Sequence, residues 1–151
     1  MKATDLLKKQ HKEVKGMFKK MDKTEDARGR RQLMEQISQA LEMHTRIEEE
    51  IFYPAVRGLE TRKAQEMIAE AFEEHHVVKL VLAELPKVDP EDERFEAKMT
   101  VLSELIEHHV EEEEGEMFVV AERLGDEELK ALGEQMQARM GEGMTRGRRA
   151  A

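Results

Sequence analysis

The spacing of the apolar residues constrains the fold of this chain more than any other feature, because they recur at every third or fourth position. This period is typical of amphipathic helices, and no long stretch alternates with the period of two that strands require. The pattern predicts a first helix at about 4–22 and a second ending at Tyr53, where Pro54 stops it. A third is predicted at about 61–85, and Asp89 and Pro90 are expected to open a fourth that ends near Gly125.

Four long helices with short connections predict an all-α fold, an antiparallel up-down four-helix bundle over about residues 4–125. A short additional C-terminal helix is expected at about 126–141, and the basic tail, 142–151, is expected to be disordered. The length of 151 residues fits a single domain, 1–151.

The composition excludes several kinds of site and partner. The chain has no cysteine, which excludes disulfides, thiolate catalysis and cysteine-ligated clusters. A formal net charge of −9 argues against a nucleic-acid partner. No apolar run reaches the roughly 18 residues of a membrane span, and the first residues carry no apolar signal segment. We therefore expect a cytoplasmic protein without membrane contact, a monomer or a weak homo-oligomer.

Histidine and glutamate side chains interrupt the apolar stripes in a regular way. One histidine falls on the stripe of each bundle helix, and two of them have a glutamate four residues later. The set is His11, His44, Glu48, His75, His109 and Glu113. Residues at i and i+4 lie one turn apart on the same helix face. Because buried carboxylates are costly unless paired or metal-bound, this set predicts a site for two metal ions.

The chain also has the pattern of an internal duplication. The first two stripe histidines are 33 residues apart and the second two are 34 apart. The stretches HKEVKGMF and HHVVKLVL agree at His, Val and Lys, and Tyr53 corresponds to Phe118. The duplication predicts two helical hairpins related by a pseudo-twofold axis, with the histidines and glutamates meeting at the centre.

Some assignments have alternatives. A single histidine on an apolar stripe is more often a structural residue, and a single His–Glu pair is often an exposed ion pair, but here both recur. The repeat favours His75 over His76 and His109 over His108, so His76 and His108 are expected beside the ligands. Tyr53 is expected either to pack at a helix end or to donate a hydrogen bond to a ligand.

Two lysines occupy equivalent positions in the duplicated halves. Lys15 and Lys79 each lie one turn after a ligand histidine. They are either solvated flanking residues with their stems packed on the helix or cations that gate the site.

The donor set narrows the choice of metal. Nitrogen and oxygen ligands without thiolate suit iron, manganese or zinc. The mixture of imidazoles with bridging carboxylates favours a non-haem pair of iron ions joined by an oxo or hydroxo bridge.

Four stretches carry a resemblance to a known family. KKQHKEV, LEMHTRIEEEIFYP, EEHHVVKLVLAEL and IEHHVEEEEGEMF resemble, in order, the helix signatures of the hemerythrin-like, HHE cation-binding family. The resemblance covers about residues 4–125 and implies a bundle around a di-iron centre held by the six residues named above. Carrier hemerythrins have a further histidine where this chain has Lys79, and they end with His-x-x-x-x-Asp. Reversible oxygen carriage is therefore not expected.

The four-histidine, two-glutamate set is similar to two other branches of that family. One is the mycobacterial-type hemerythrin-like proteins, associated with peroxide breakdown. The other is the di-iron proteins of iron–sulfur centre repair and nitric-oxide response, which usually carry a cysteine-bearing domain that this sequence lacks. The resemblance implies catalase-like peroxide handling. The alternatives are non-enzymatic binding or sensing of oxygen, nitric oxide or iron, iron–sulfur repair, and a metal-free helical interaction protein.

Overall fold

The structure is a computed structural model that describes the backbone of residues 1–150 and the side chains of residues 1–143. All regular secondary structure in this part of the chain is helical, so the predicted all-α class is confirmed. The α-helices are α1 (Ala3–Asp22), α2 (Ala27–Ile47), α3 (Tyr53–Arg57), α4 (Arg62–Glu84), α5 (Glu93–Glu112), α6 (Phe118–Ala121) and α7 (Asp126–Ala150).

Two of the long helices contain a π turn. α2 continues through the first π turn, Glu48–Phe52, into α3, and α5 continues through the second, Glu113–Met117, into α6. Short 3₁₀ segments follow α4 and α6, at Leu85–Lys87 and Glu122–Leu124. α1 packs on α2, and α4 packs on α5, as two antiparallel hairpins with short connections.

Polar side chains at the first turns explain where α2 and α4 begin. Asp26 accepts a hydrogen bond of 2.8 Å from the backbone N–H of Gly29 at the start of α2. Thr61 accepts one of 3.1 Å from Ala64 at the start of α4. These bonds satisfy N–H groups that have no partner inside the helix.

Two predicted helix boundaries are wrong. The second long helix does not stop at Pro54 but runs on to Arg57, because the π turn lies directly before the proline. A π turn leaves carbonyls without an i+4 partner, so a residue that lacks an N–H is tolerated there. The fourth helix begins after Asp92, whose side chain accepts from the N–H of Arg94, and not at Asp89.

The hydrophobic core is divided into two clusters by a polar layer. One cluster contains Leu7, Ile47 and Met117, and the other contains Val14 and Leu41. Along each long helix the stripe histidine lies between residues of the two clusters. The bundle therefore holds four imidazoles at one level, with apolar side chains above and below.

Helix α7 packs against the bundle through an apolar face. Leu129, Leu132 and Met136 are buried in the first cluster, and Arg139 forms an ion pair with Glu50 at 2.8 Å. The sequence predicts a short helix at about 126–141, and α7 covers this whole range and continues to Ala150. The expected disorder of residues 142–151 stays a prediction, because most of their side chains lie outside the described part of the chain. Within the described chain, no helix combines the length and the apolar content of a membrane span.

Candidate metal centre

The polar layer brings together all six side chains that the sequence predicts as metal ligands. None of them is more than 6% exposed, and both glutamates are fully buried. They form two groups, in each of which the candidate ligand atoms lie within 4.8 Å of one another. The first group is His11, His44, Glu48 and Glu113, and the second is His75, His109, Glu48 and Glu113. Both glutamates belong to both groups, as bridging ligands would.

Each carboxylate touches one histidine from each hairpin. Oε1 of Glu48 lies 3.1 Å from Nε2 of His44 and 3.1 Å from Nε2 of His75. Glu113 lies 3.1 Å from Nε2 of His11 through Oε1 and 3.1 Å from Nε2 of His109 through Oε2. The two glutamates therefore connect the two halves of the duplicated chain at the centre of the bundle.

The outer nitrogen of every central imidazole is held by a hydrogen-bond acceptor. The Nδ1 pairs are His11–Glu114 at 2.9 Å, His44–Gln10 at 2.6 Å, His75–Glu49 at 2.9 Å and His109–Glu74 at 2.8 Å. Carboxylate and amide oxygens only accept, so each Nδ1 carries the hydrogen and donates it. In the neutral form of each ring, Nε2 is then the nitrogen with the lone pair, and all four Nε2 atoms face the centre.

Several atoms at the centre have no other partner within the described chain. Nε2 of His44 and both carboxylate oxygens of Glu48 are fully buried without a hydrogen bond. Nε2 of His75 and Nε2 of His109 face each other at 3.2 Å. Buried polar atoms are normally satisfied, so this set fits bound cations better than it fits a closed polar core.

The buried carboxylates raise the pKa of two central imidazoles, those of His11 and His109. Burial alone would raise the pKa of Glu48, but the charge of His44 and the neighbouring polar groups hold it well below its usual range. Burial would lower the pKa of His109, but the charge and hydrogen bond of Glu113 raise it well above the ordinary value. The pKa of His11 is also raised, because the hydrogen bond and charge of Glu113 outweigh burial.

Tyr53 lies inside the centre and does not merely pack at a helix end. Its hydroxyl donates a hydrogen bond of 2.5 Å to Oε2 of Glu113 and lies 3.1 Å from Nε2 of His75 and 3.2 Å from Nε2 of His109. The first π turn explains this position, since the N–H of Tyr53 bonds to the carbonyl of Glu48. Burial and the charges of Glu48 and Glu113 raise the pKa of Tyr53 well above its usual value.

The other flanking residues lie farther out. His76 and Lys15 are exposed, and the Lys79 side chain is 50% exposed and pairs with Glu49 at 2.8 Å. His108 is also exposed and contacts Glu112 at 3.0 Å. Lys79 thus reaches a candidate ligand, His75, only through Glu49.

The residues that hold the Nδ1 atoms are not among those predicted from the sequence. These are Gln10, Glu49, Glu74 and Glu114. The repeat carried a signal for them, because two directly follow a central glutamate and two directly precede a central histidine. In a chain with 34 acidic residues that signal is weak until the helices are packed.

A cavity of about 230 Å³ adjoins the centre between α1 and α5. His11, Phe18 and Ile106 line its inner part, and Lys15 and Glu111 also line it. A smaller cavity of about 50 Å³ adjoins His109 and Glu113 on another side of the bundle. Both volumes suit small molecules.

A sequence model of the Hemerythrin HHE cation binding domain matches residues 2–121. The chain belongs to this family. The matched segment contains all six central residues and ends where α6 ends, before α7. The predicted family resemblance is confirmed.

Mycobacterial members of the family are similar to the chain over most of its length. A crystal structure of an HHE domain-containing protein from Mycobacterium kansasii, a homologue of Rv2633c, superposes with a TM-score of 0.82 at 30% identity. The match covers 94% of this chain and 86% of that one. Rv2633c of Mycobacterium tuberculosis is 29% identical over 143 residues, which cover 93% of this chain and 86% of that protein.

A more distant relative has another description. A protein of Nostoc sp. named as a DNA nickase is 25% identical over 149 residues. The match covers 93% of this chain but only 42% of the Nostoc protein.

Proposed function

We propose that the four central histidines and two central glutamates hold two iron ions, and that the loaded protein breaks down hydrogen peroxide. The observation that carries the proposal is the position of Glu48 and Glu113. Each is fully buried and touches a histidine of both hairpins, and the oxygens of Glu48 have no hydrogen bond. Two cations at this level would neutralise both carboxylates and use the four inward nitrogens.

The donor set supports the choice of metal. Imidazole and carboxylate ligands also accept manganese or zinc, but their mixture around shared carboxylates suits a pair of iron ions with an oxo or hydroxo bridge. When bound, such a pair supplies Lewis acidity and reversible electron storage. Peroxide disproportionation turns two molecules of hydrogen peroxide into one of dioxygen and two of water, so no external reductant is needed.

The residues of the chain perform the remaining tasks. The Nδ1 partners fix each imidazole so that Nε2 stays directed at the centre. The two apolar clusters exclude bulk water from the layer. Tyr53 keeps its proton and donates a hydrogen bond to Glu113, which fixes the orientation of that carboxylate. The cavity beside His11 gives a molecule of the size of peroxide a path towards the centre.

The surroundings of Lys79 favour turnover over reversible oxygen carriage. Its amine binds Glu49 at 2.8 and 3.0 Å at the surface and supplies no ligand. The centre therefore has four histidines that divide equally between its two groups. The alternative function is reversible binding or sensing of oxygen, nitric oxide or iron.

Metal analysis and oxygen evolution test the proposal together. Protein purified without chelator should contain about two iron ions per chain, and the iron-loaded protein should release oxygen from hydrogen peroxide. His75→Ala should abolish both properties, whereas the exposed neighbour variant His76→Ala should retain them. A chain that takes up no metal would refute the proposal. A stable, reversible adduct without turnover would favour the binding alternative.

A further inference from the structure

The two halves of the centre are nearly symmetric in their supporting hydrogen bonds. Glu114 holds His11, and the equivalent Glu49 holds His75. The other two supports come from the residues that directly precede His11 and His75 in the sequence. Here the symmetry breaks, because position 10 is glutamine and position 74 is glutamate.

The broken symmetry places an amide on one half and a carboxylate on the other. The Gln10 amide oxygen accepts from Nδ1 of His44 at 2.6 Å, and the Glu74 carboxylate accepts from Nδ1 of His109 at 2.8 Å. A carboxylate polarises the imidazole that donates to it and makes its other nitrogen a stronger donor to a metal. A neutral amide does so less.

A second difference separates the same two halves. Tyr53 places its hydroxyl beside His75 and His109, while the equivalent residue, Phe118, stacks its ring against His11. The ring centroids are 6.0 Å apart and the planes differ by 3°. The half around His75 and His109 thus has a hydroxyl and one more carboxylate support than the other half, while Lys79 pairs with its other support, Glu49, at 2.8 Å.

We infer that the two metal positions are unequal, and that the His75–His109 position binds the first metal ion and the His11–His44 position binds the second more weakly. This inference rests on the proposed two-metal centre. The two positions share Glu48 and Glu113, so the difference is assigned to the supports of the histidines, which they do not share. Gln10 and Glu74 are the positioning residues that create it, through His44 and His109.

A contact with α7 gives a reason for glutamine at position 10. The amide Nε2 of Gln10 lies 3.3 Å from Sδ of Met140 on α7, while its oxygen accepts from His44. A carboxylate could accept from the histidine but could not donate to the thioether. The weaker metal position is therefore connected to α7 by a hydrogen-bond chain.

Two variants that keep all six ligands test the inference with Co²⁺ as the probe, titrated anaerobically and followed by its absorption. The wild-type protein should bind two ions in separate steps. Glu74→Gln should weaken the first step by about 10- to 100-fold, the range known for residues that support metal-ligating histidines. Gln10→Glu should strengthen the second step. The double exchange, Gln10→Glu with Glu74→Gln, should restore two unequal steps.

Half-site variants then identify which position each step reports. His11→Ala leaves the His75–His109 position intact. This variant should bind one Co²⁺ at least about 10-fold more tightly than His75→Ala binds it. In the double exchange that order should reverse. Equal affinities in the two half-site variants, or tighter binding by His75→Ala, would overturn the inference while leaving the two-metal centre in place. A wild-type chain that binds no Co²⁺ would overturn the centre itself.

Circular dichroism of the metal-free variants controls for folding. Neither Gln10→Glu nor Glu74→Gln removes a metal ligand or an apolar core residue, so the helical signal should match that of the wild type. If both exchanges fold and leave the two binding steps unchanged, the inference is wrong.

Discussion

The hydroxyl of Tyr53 donates a 2.5 Å hydrogen bond to Oε2 of Glu113 and so joins the two hairpins across the centre of the bundle. The phenol is fully buried beside two carboxylates, so ionisation would add a third negative charge to a buried site. This contact accounts for a raised pKa of Tyr53 and for its role as a fixed donor.

Because Tyr53 is the only tyrosine and the chain has no tryptophan, its ionisation can be observed directly. In the folded, metal-free protein we expect no phenolate absorbance near pH 10.0, the ordinary pKa of the group. In concentrated urea the same band should appear near that pH. Circular dichroism recorded in parallel shows whether the helices persist. A phenolate band near pH 10 in the folded protein would contradict the buried hydrogen bond.

The raised pKa of His109 predicts how the stability of the metal-free protein depends on pH. A histidine with a raised folded-state pKa contributes stability that is complete below its unfolded value of 6.5 and is lost as pH rises through the folded value. Glu48 has a lowered pKa, so its contribution is present above 4.5 and is lost as pH falls. Urea unfolding of chelator-treated protein should therefore give the highest free energy between about pH 4.5 and 6.5.

The metal-loaded protein is the control for this pH dependence. Metal ions bind unprotonated imidazoles, so the stabilisation from metal should increase as pH rises. The two forms should diverge from pH 6 to pH 9. A metal-free protein that becomes more stable over that range would show that the imidazoles do not hold the protons.

The sequence predicted the six central residues because their evidence is periodic and duplicated. A histidine on each stripe and a glutamate one turn later are visible without tertiary information. The position of Tyr53 was left open, because it depends on a π turn that no local pattern announces. The sequence predicts a helix end at Pro54 for the same reason, because the π turn that makes the proline acceptable has no local signal.

The supporting residues illustrate a different limit. Glu49 follows Glu48 in a run of glutamates. The geometry of a single helix places it about 100° further round the helix axis than Glu48 and says nothing about its partner. Its contact with His75 depends on the distance and rotation of α4 relative to the first π turn. That information arises only when the hairpins pack, so sequence reasoning separates Glu48 from its neighbours but does not give Glu49 a role.

Two adjacent glutamates allow a matched test of that role. Glu49 holds Nδ1 of His75, whereas Glu50 is exposed and pairs with Arg139 on α7. Glu49→Ala should lower metal affinity by about 10- to 100-fold, because the histidine loses its orienting acceptor. Metal binding is measured by Co²⁺ titration of the metal-free protein.

Glu50→Ala is the control, since it removes one carboxylate of the same run from the surface. It should leave the metal affinity unchanged. It should reduce the free energy of unfolding by at most about 1 kcal/mol, which is the usual contribution of a surface ion pair. Equal losses of metal affinity in the two variants would indicate a general effect of charge and would refute the specific role of Glu49.

The docking of α7 makes a separate prediction about stability. Gly133 is buried against the first residues of the chain, and a Cβ there would collide with the carbonyl oxygen of Met1 and lie 3.0 Å from the backbone nitrogen of Ala3. Gly133→Ala should therefore destabilise the protein by about 1–3 kcal/mol, because α7 or the start of α1 must move. Gly16→Ala is the matched control, since nothing lies within 4 Å of its Cβ position in α1. That change should stabilise the helix by about 0.5–1 kcal/mol. Urea unfolding of both variants measures the difference, and equal stabilisation would show that α7 does not approach the N-terminal residues closely.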